Sequence, residues 1–253
     1  MNSKEFLESL ARDVAGRTDD ARSQCRQLVE WMHTEFEWSA TDYQHRSLSE
    51  ILARRAGNCA EQTRLLQGLL TAVHMDTRTV AEINIQAPQP ERGASAARMV
   101  AERGPSASVF GYRHNDHRWL EVRGGSSESW FPADATLGVC GEAEWLAARM
   151  GFGVRPAAAK DMIVPVMAFV MDASGHVSED RTEHYICGLF ANYVEKTVRA
   201  DALLDEWRAV VRELADGGKR AFAGAESFFP YDGQLEQALV VYRAIAAQYR
   251  QAE

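Results

Sequence analysis

Arg55-Ala56-Gly57-Asn58-Cys59-Ala60-Glu61 is the stretch that decides how this chain reads. Gly57-Asn58 breaks the preceding pattern. Downstream, Leu65, Leu66, Leu69, Leu70 and Val73 recur at helical spacing, so a helix starts around Asn58 and runs to His74. Cys59 then takes the first helical position. A thiol is a nucleophile only as thiolate, and the partial positive charge of a helix start favours that form. The backbone N–H of Cys59 is also one of the unpaired donors of the first turn, placed to serve an oxyanion. Taken without its surroundings, Cys59 reads more readily as a small buried structural residue, the commoner fate of a cysteine.

Two later segments carry groups that would complete such a site. His117-Arg118-Trp119-Leu120-Glu121-Val122 reads as a strand on which His117 and Trp119 share a face and Arg118 points away. His114 is the rival base, but it falls in the polar stretch Arg113-His114-Asn115-Asp116, read as a turn, and no aromatic follows it at the same spacing. Trp130-Phe131-Pro132-Ala133-Asp134-Ala135-Thr136 reads as a strand breaking into a turn. There Asp134 either holds an imidazole in its working tautomer or merely caps the backbone of Thr136. A thiol at a helix start, an imidazole on one strand and a carboxylate on the next are the parts of a cysteine nucleophile with its base.

In this order and at these spacings, the fragments resemble the transglutaminase-like superfamily over roughly residues 45 to 140. Arg55, Gly57 and Cys59, the leucine-rich helix, His117 with Trp119, and Trp130 with Asp134 and Thr136 carry the resemblance. It implies a Cys59–His117–Asp134 triad on an α+β fold of the transglutaminase-like, papain-like cysteine-protease type. Such a fold packs N-terminal helices on an antiparallel sheet. It also implies acyl transfer from an amide, ester or thioester through a thioester on Cys59, resolved by water or by an amine. Two features depart from the pattern: no acidic cluster like the calcium loops of large animal transglutaminases, and a long Gln86 to Ala107 insertion. Trp38 and Gln44 lie upstream, where related sites often find a second oxyanion donor. A non-catalytic binding module of the same fold is the alternative. A papain-like or arylamine acetyltransferase-like enzyme is another, though the latter usually shows Arg-Gly-Gly before the cysteine.

The remaining chain supports an ordinary globular protein. Its 253 residues, 46% hydrophobic and 25% charged, suffice for a sizeable core. A net charge of −8 without a basic, aromatic-rich cluster argues against nucleic acid as partner. Cys25, Cys59, Cys140 and Cys187 lie far apart and form neither a disulfide framework nor a zinc motif. His74, His176 and His184 have no partner at metal-ligand spacing, so no metal is expected. No nucleotide fingerprint occurs and no cofactor is expected. The charged N-terminus does not read as a signal peptide, and the longest apolar stretch, Met162 to Met171, is short of a membrane span. A cytoplasmic protein acting on a peptide, amide or carrier-bound thioester, with no membrane partner, is expected.

Helical periodicity marks residues 3 to 15, about 18 to 36, 200 to 215 and 234 to 248. Ser47-Leu48-Ser49-Glu50 matches a capping box that opens a short helix from Ile51 to Arg55, ended by Gly57. Strands are expected at Thr77 to Ile85, Ser108 to Tyr112, His117 to Val122 and Met162 to Met171. Residues 1–155 are thus expected to form the catalytic core, and 156–253 a C-terminal extension packing on it.

Overall fold

A computed structural model describes residues 3–16, 18, 20–39, 44–85, 98, 101–102, 114–150, 164–223 and 232–252. The chain forms two compact units. One takes Met1–Val80 and His117–Ala148, the other Ala81–Asp116 and Arg149–Glu253.

The first unit opens with α1 (Ser3–Ala15), α2 (Ala21–Glu35), the short strand β1 (Glu37–Trp38), α3 (Leu48–Arg54), β2 (Ala56–Gly57) and α4 (Cys59–Ala72). Then come β3 (Asp76–Ile85), β4 (His114–Arg123), β5 (Phe131–Asp134), β6 (Val139–Cys140) and α5 (Glu142–Met150), of which β3, β4 and α5 run on into the second unit. The strands of the first unit follow the order β6-β5-β4-β3. Leu120 faces Ala133 and Val122 faces Phe131 across an antiparallel ladder, and β6 returns with Cys140 opposite Ala133. Leu120, Val122, Phe131 and Ala133 therefore point to one side, where they bury against Leu28, Val29 and Met32 of α2 and Leu65, Leu66 and Leu69 of α4. Each such aliphatic side chain removed from water contributes about 1.5–3 kcal/mol, so this layer holds α4, and with it Cys59, against the sheet. Trp119 and Glu121 alternate to the other side. There Trp119 meets Trp145 at 5.9 Å, and Glu121 pairs with Arg78 at 2.6 Å.

The second unit is built on β3, β7 (Val164–Met171) and β8 (Val177–Asp180), in that order. Seven of the eight β7 residues are buried, as its unbroken apolar run requires. A π-helical turn at Glu183–Leu189 leads into α6 (Phe190–Glu195), α7 (Asp201–Phe222) and α8 (Asp232–Ala252). Phe190, Trp207 and Tyr242 cluster with ring centroids 5.4–6.1 Å apart, and Trp207 Nε1 donates to the Ile186 carbonyl at 2.9 Å. Helix α7 continues past the expected Ala215 through Gly217-Gly218. A Cβ on Gly218 would meet Met167 Sδ at 2.5 Å, so glycine there lets the helix lie close on β7.

Several expectations need correction. The α3 helix is ended by Arg55, in the left-handed region at φ 51°, and not by Gly57, which pairs in β2. Residues 114–116 do not turn but begin β4. The expected strand at Ser108 to Tyr112 and most of the Gln86 to Ala107 insertion lie outside the described residues. Among the described residues no helix is long and apolar enough to cross a membrane.

Candidate active site

The start of α4 is fixed by three successive devices. First, Arg55 in its left-handed turn stops α3 and sends Ala56-Gly57 into a parallel ladder with Glu37-Trp38. Glu37 N–H donates to the Arg55 carbonyl at 2.9 Å and Ser39 N–H to the Gly57 carbonyl at 3.0 Å. Second, Asn58 caps α4. Its Oδ1 accepts from Glu61 N–H at 3.0 Å, and Glu61 Oε2 accepts from Asn58 N–H at 3.1 Å. Third, the nearly buried Glu61 carboxylate is neutralised by Arg46, with Nη1 at 2.8 Å from Oε1, while Gln62 Nε2 donates to the Gly57 carbonyl at 3.1 Å. A Cβ on Gly57 would come within 3.1 Å of Glu61 Cβ and 3.3 Å of Glu61 Oε2, so the closeness of this packing needs glycine. Cys59 emerges at the first helical position, partly exposed.

One helical turn on, Thr63 anchors the same face of α4 to the sheet. Its Oγ1 donates to the Arg118 carbonyl at 2.8 Å, next to His117. His117 is 8% exposed and Asp134 1% exposed, and His117 Nε2 lies 2.6 Å from Asp134 Oδ2. With the carboxylate accepting at Nε2–H, a neutral ring carries its lone pair on Nδ1, the nitrogen suited to take a proton. The other carboxylate oxygen, Oδ1, accepts from Leu137 N–H at 3.2 Å. Asp134 thus orients the imidazole and also shapes the turn after β5, though at Leu137 rather than Thr136. The Thr136 hydroxyl is buried without a partner. A hydrogen bond therefore unites His117 with Asp134. The Cys59 thiol is positioned by the start of α4 and the Thr63 anchor.

The other sequence candidates fall as follows. Trp38 is 63% exposed on β1, directly opposite Gly57 in the ladder that precedes Cys59. Gln44 is exposed, and its Oε1 accepts from Arg46 Nη2 at 3.4 Å. His114 is the first residue of β4. Sequence reasoning missed the supporting set of Arg46, Asn58, Glu61, Gln62 and Thr63. Asn58-x-x-Glu61 is itself a readable cap signature, whereas two-residue strands such as β1 and β2 leave no periodic trace.

Helices packed on an antiparallel sheet, with a cysteine opening a helix and a histidine–aspartate pair on adjacent strands, define an α+β fold of the transglutaminase-like, papain-like class. The chain belongs to the transglutaminase-like superfamily, whose model matches residues 8–135, just over half of its length. Solved structures give weaker likenesses. A candidate cysteine protease from Cytophaga hutchinsonii is 15% identical with a TM-score of 0.35, covering 54% of this chain and 38% of its own. The chain thus spans well under half the length of that protein. LapG of Legionella pneumophila, EGTA-treated, is 12% identical with a TM-score of 0.36, covering 76% of this chain and 98% of LapG. A second LapG structure gives 12% and 0.31. No curated protein matches.

Proposed function

We propose that the protein is a cysteine-dependent acyl-transfer enzyme, with Cys59 as nucleophile, His117 as general base and then acid, and Asp134 as the group that orients His117. The observation that carries this reading is the 2.6 Å contact between the buried His117 Nε2 and Asp134 Oδ2, with His117 on the strand to which Thr63, one turn into α4, is tied. His117 Nδ1 takes the Cys59 proton as the sulfur attacks the carbonyl carbon of an amide, ester or thioester. Negative charge then develops on the former carbonyl oxygen, within the field of the α4 N-terminus and its free N–H groups. Collapse of the tetrahedral species expels the leaving group, protonated by His117, and leaves an acyl thioester on Cys59. Water or an amine, deprotonated by His117, then attacks the thioester and restores the thiol. The first outcome is a peptidase or amidase, the second an amide-forming transferase. A peptide, amide or carrier-bound thioester fits as substrate, and a reducing cytoplasm would keep the thiol usable.

Intact mass after incubation with amide, ester and thioester acyl donors tests the reading. A single acyl adduct that maps to Cys59, and is absent from Cys59→Ala, is expected. Turnover of a donor by Cys59→Ala at the wild-type rate would remove the nucleophile and the mechanism with it.

A further inference from the structure

Cys25 and Cys140 are a second set of sulfur groups in the first unit, with no part in the chemistry above. They are distant in sequence, on α2 and β6, and both are fully buried. Cys140 Sγ lies 3.9 Å from the carbonyl oxygen of Arg22, one turn before Cys25. Arg26, the residue after Cys25, donates from Nη2 to the Cys140 carbonyl at 3.0 Å and pairs through Nη1 with Glu144 at 2.6 Å. Glu144 in turn accepts from Cys140 N–H at 2.8 Å. The turn of α2 bearing Cys25 is thus fastened to Cys140 from both sides.

We propose that Cys25 and Cys140 form a redox-active dithiol that a small peroxide closes to a disulfide, with Cys140 attacking first and Cys25 resolving. Local electrostatics sets this order. Interaction with the Cys25 thiol, opposed by burial and aided by the charge of Arg26, holds the Cys140 thiol below its ordinary range. The same interaction, followed by burial, holds Cys25 well above it. Thiolate is the form that meets peroxide. The Cys140 sulfur attacks one peroxide oxygen and the O–O bond breaks. The departing hydroxide takes up the proton Cys140 has lost, giving water and a sulfenic acid. The Cys25 sulfur then attacks the Cys140 sulfur, the S–O bond breaks, and hydroxide leaves with the Cys25 proton as a second water. Two thiols lose two electrons, and the peroxide is reduced to two waters. Cys140 stands opposite Ala133, with Asp134 next along β5. The bond therefore ties the hairpin that carries Asp134 to α2.

The test treats the folded, full-length protein with stoichiometric hydrogen peroxide, quenches with N-ethylmaleimide and digests with trypsin without reduction. The expected product joins Ser23–Arg26 to Gly124–Arg149, about 2 Da lighter than the two free peptides together, and forms equally in Cys59→Ala. The linked protein is expected to melt on the order of 10 °C higher, because the bond closes a loop of more than a hundred residues, and to revert in dithiothreitol. Recovery of Cys25 and Cys140 as separate alkylated thiols, or a link through any other cysteine, overturns the proposal. So does a linked protein that melts no higher, because the bond would then not fit the folded geometry.

Discussion

Asp134 shows how much one buried carboxylate does here. One oxygen faces His117 Nε2 at 2.6 Å and the other accepts from Leu137 N–H at 3.2 Å, at 1% exposure. Asp134→Asn keeps the acceptor for Leu137 but sets an amide NH2 against Nε2, which drives the ring to the tautomer with its proton on Nδ1. That tautomer cannot take a proton from Cys59. In serine triads the equivalent change costs about four powers of ten. A thiol leans less on its carboxylate, so a loss of about ten- to a thousandfold in kcat/KM is expected. Stability should fall by about 1 kcal/mol, or roughly 2–4 °C in Tm, the scale of one exchanged hydrogen bond. Full specific activity in the folded mutant would take Asp134 out of the site.

The four thiols give a second check at this scale. Cys59 is partly exposed, while Cys25, Cys140 and Cys187 are buried. Burial pushes Cys187 up to about 12, and in the reduced protein Cys25 is raised as well, so both are slow to meet an alkylating agent at neutral pH. Cys140 is shifted downward and is protected by its packing alone. Iodoacetamide at neutral pH is therefore expected to reach Cys59 first. Peptide mapping that finds another cysteine labelled earlier would sink the assignment of Cys59 as nucleophile.

At the scale of elements, the α4 start depends on Glu61 being immobile. Asn58 N–H and Arg46 hold its carboxylate, and its own N–H is bonded to Asn58. Gly57→Ala would place a methyl 3.1 Å from Glu61 Cβ, and a side chain so held cannot step aside. Overpacking of this kind costs about 1–3 kcal/mol, so Tm should drop by several degrees and activity should fall as the Asn58-Cys59 turn shifts. An unchanged melt would show that Glu61 yields. The helices carrying this site were legible in sequence because apolar periodicity and the Ser47–Glu50 cap both persist locally. The strands bearing His117 and Asp134 were legible through their aromatics. Arg55 was not, since a left-handed arginine is set by tertiary context and glycine is the usual choice. Cys25 and Cys140 read as unrelated because β6, two residues long, is too short to show a pattern, so nothing local announces what it crosses.

At the scale of the whole molecule, the two units do not follow the expected division at residue 155. The chain leaves the first unit after Val80, returns at His117 and leaves again after Ala148. A fragment of residues 1–155 would therefore keep all of the first unit and two stubs of the second, Ala81–Asp116 and residues 149–155, without the elements those stubs need. Ala81, Ile83 and Ile85 of β3 are buried, and β7, their neighbour in the strand order of the second unit, would be missing. Glu82 and Asn84 bond to Arg149, which lies near the end of the fragment. An apolar strand edge without its partner is a template for association. The fragment is expected to aggregate or to melt without a cooperative transition, while the full chain unfolds sharply. The region after 155 would then be the completing part of β3's sheet rather than an appendage. A soluble fragment with a sharp thermal transition would show instead that the first unit folds alone. In that case the same fragment should retain the Cys59 adduct, because every residue of the proposed triad and of its supporting set lies within it.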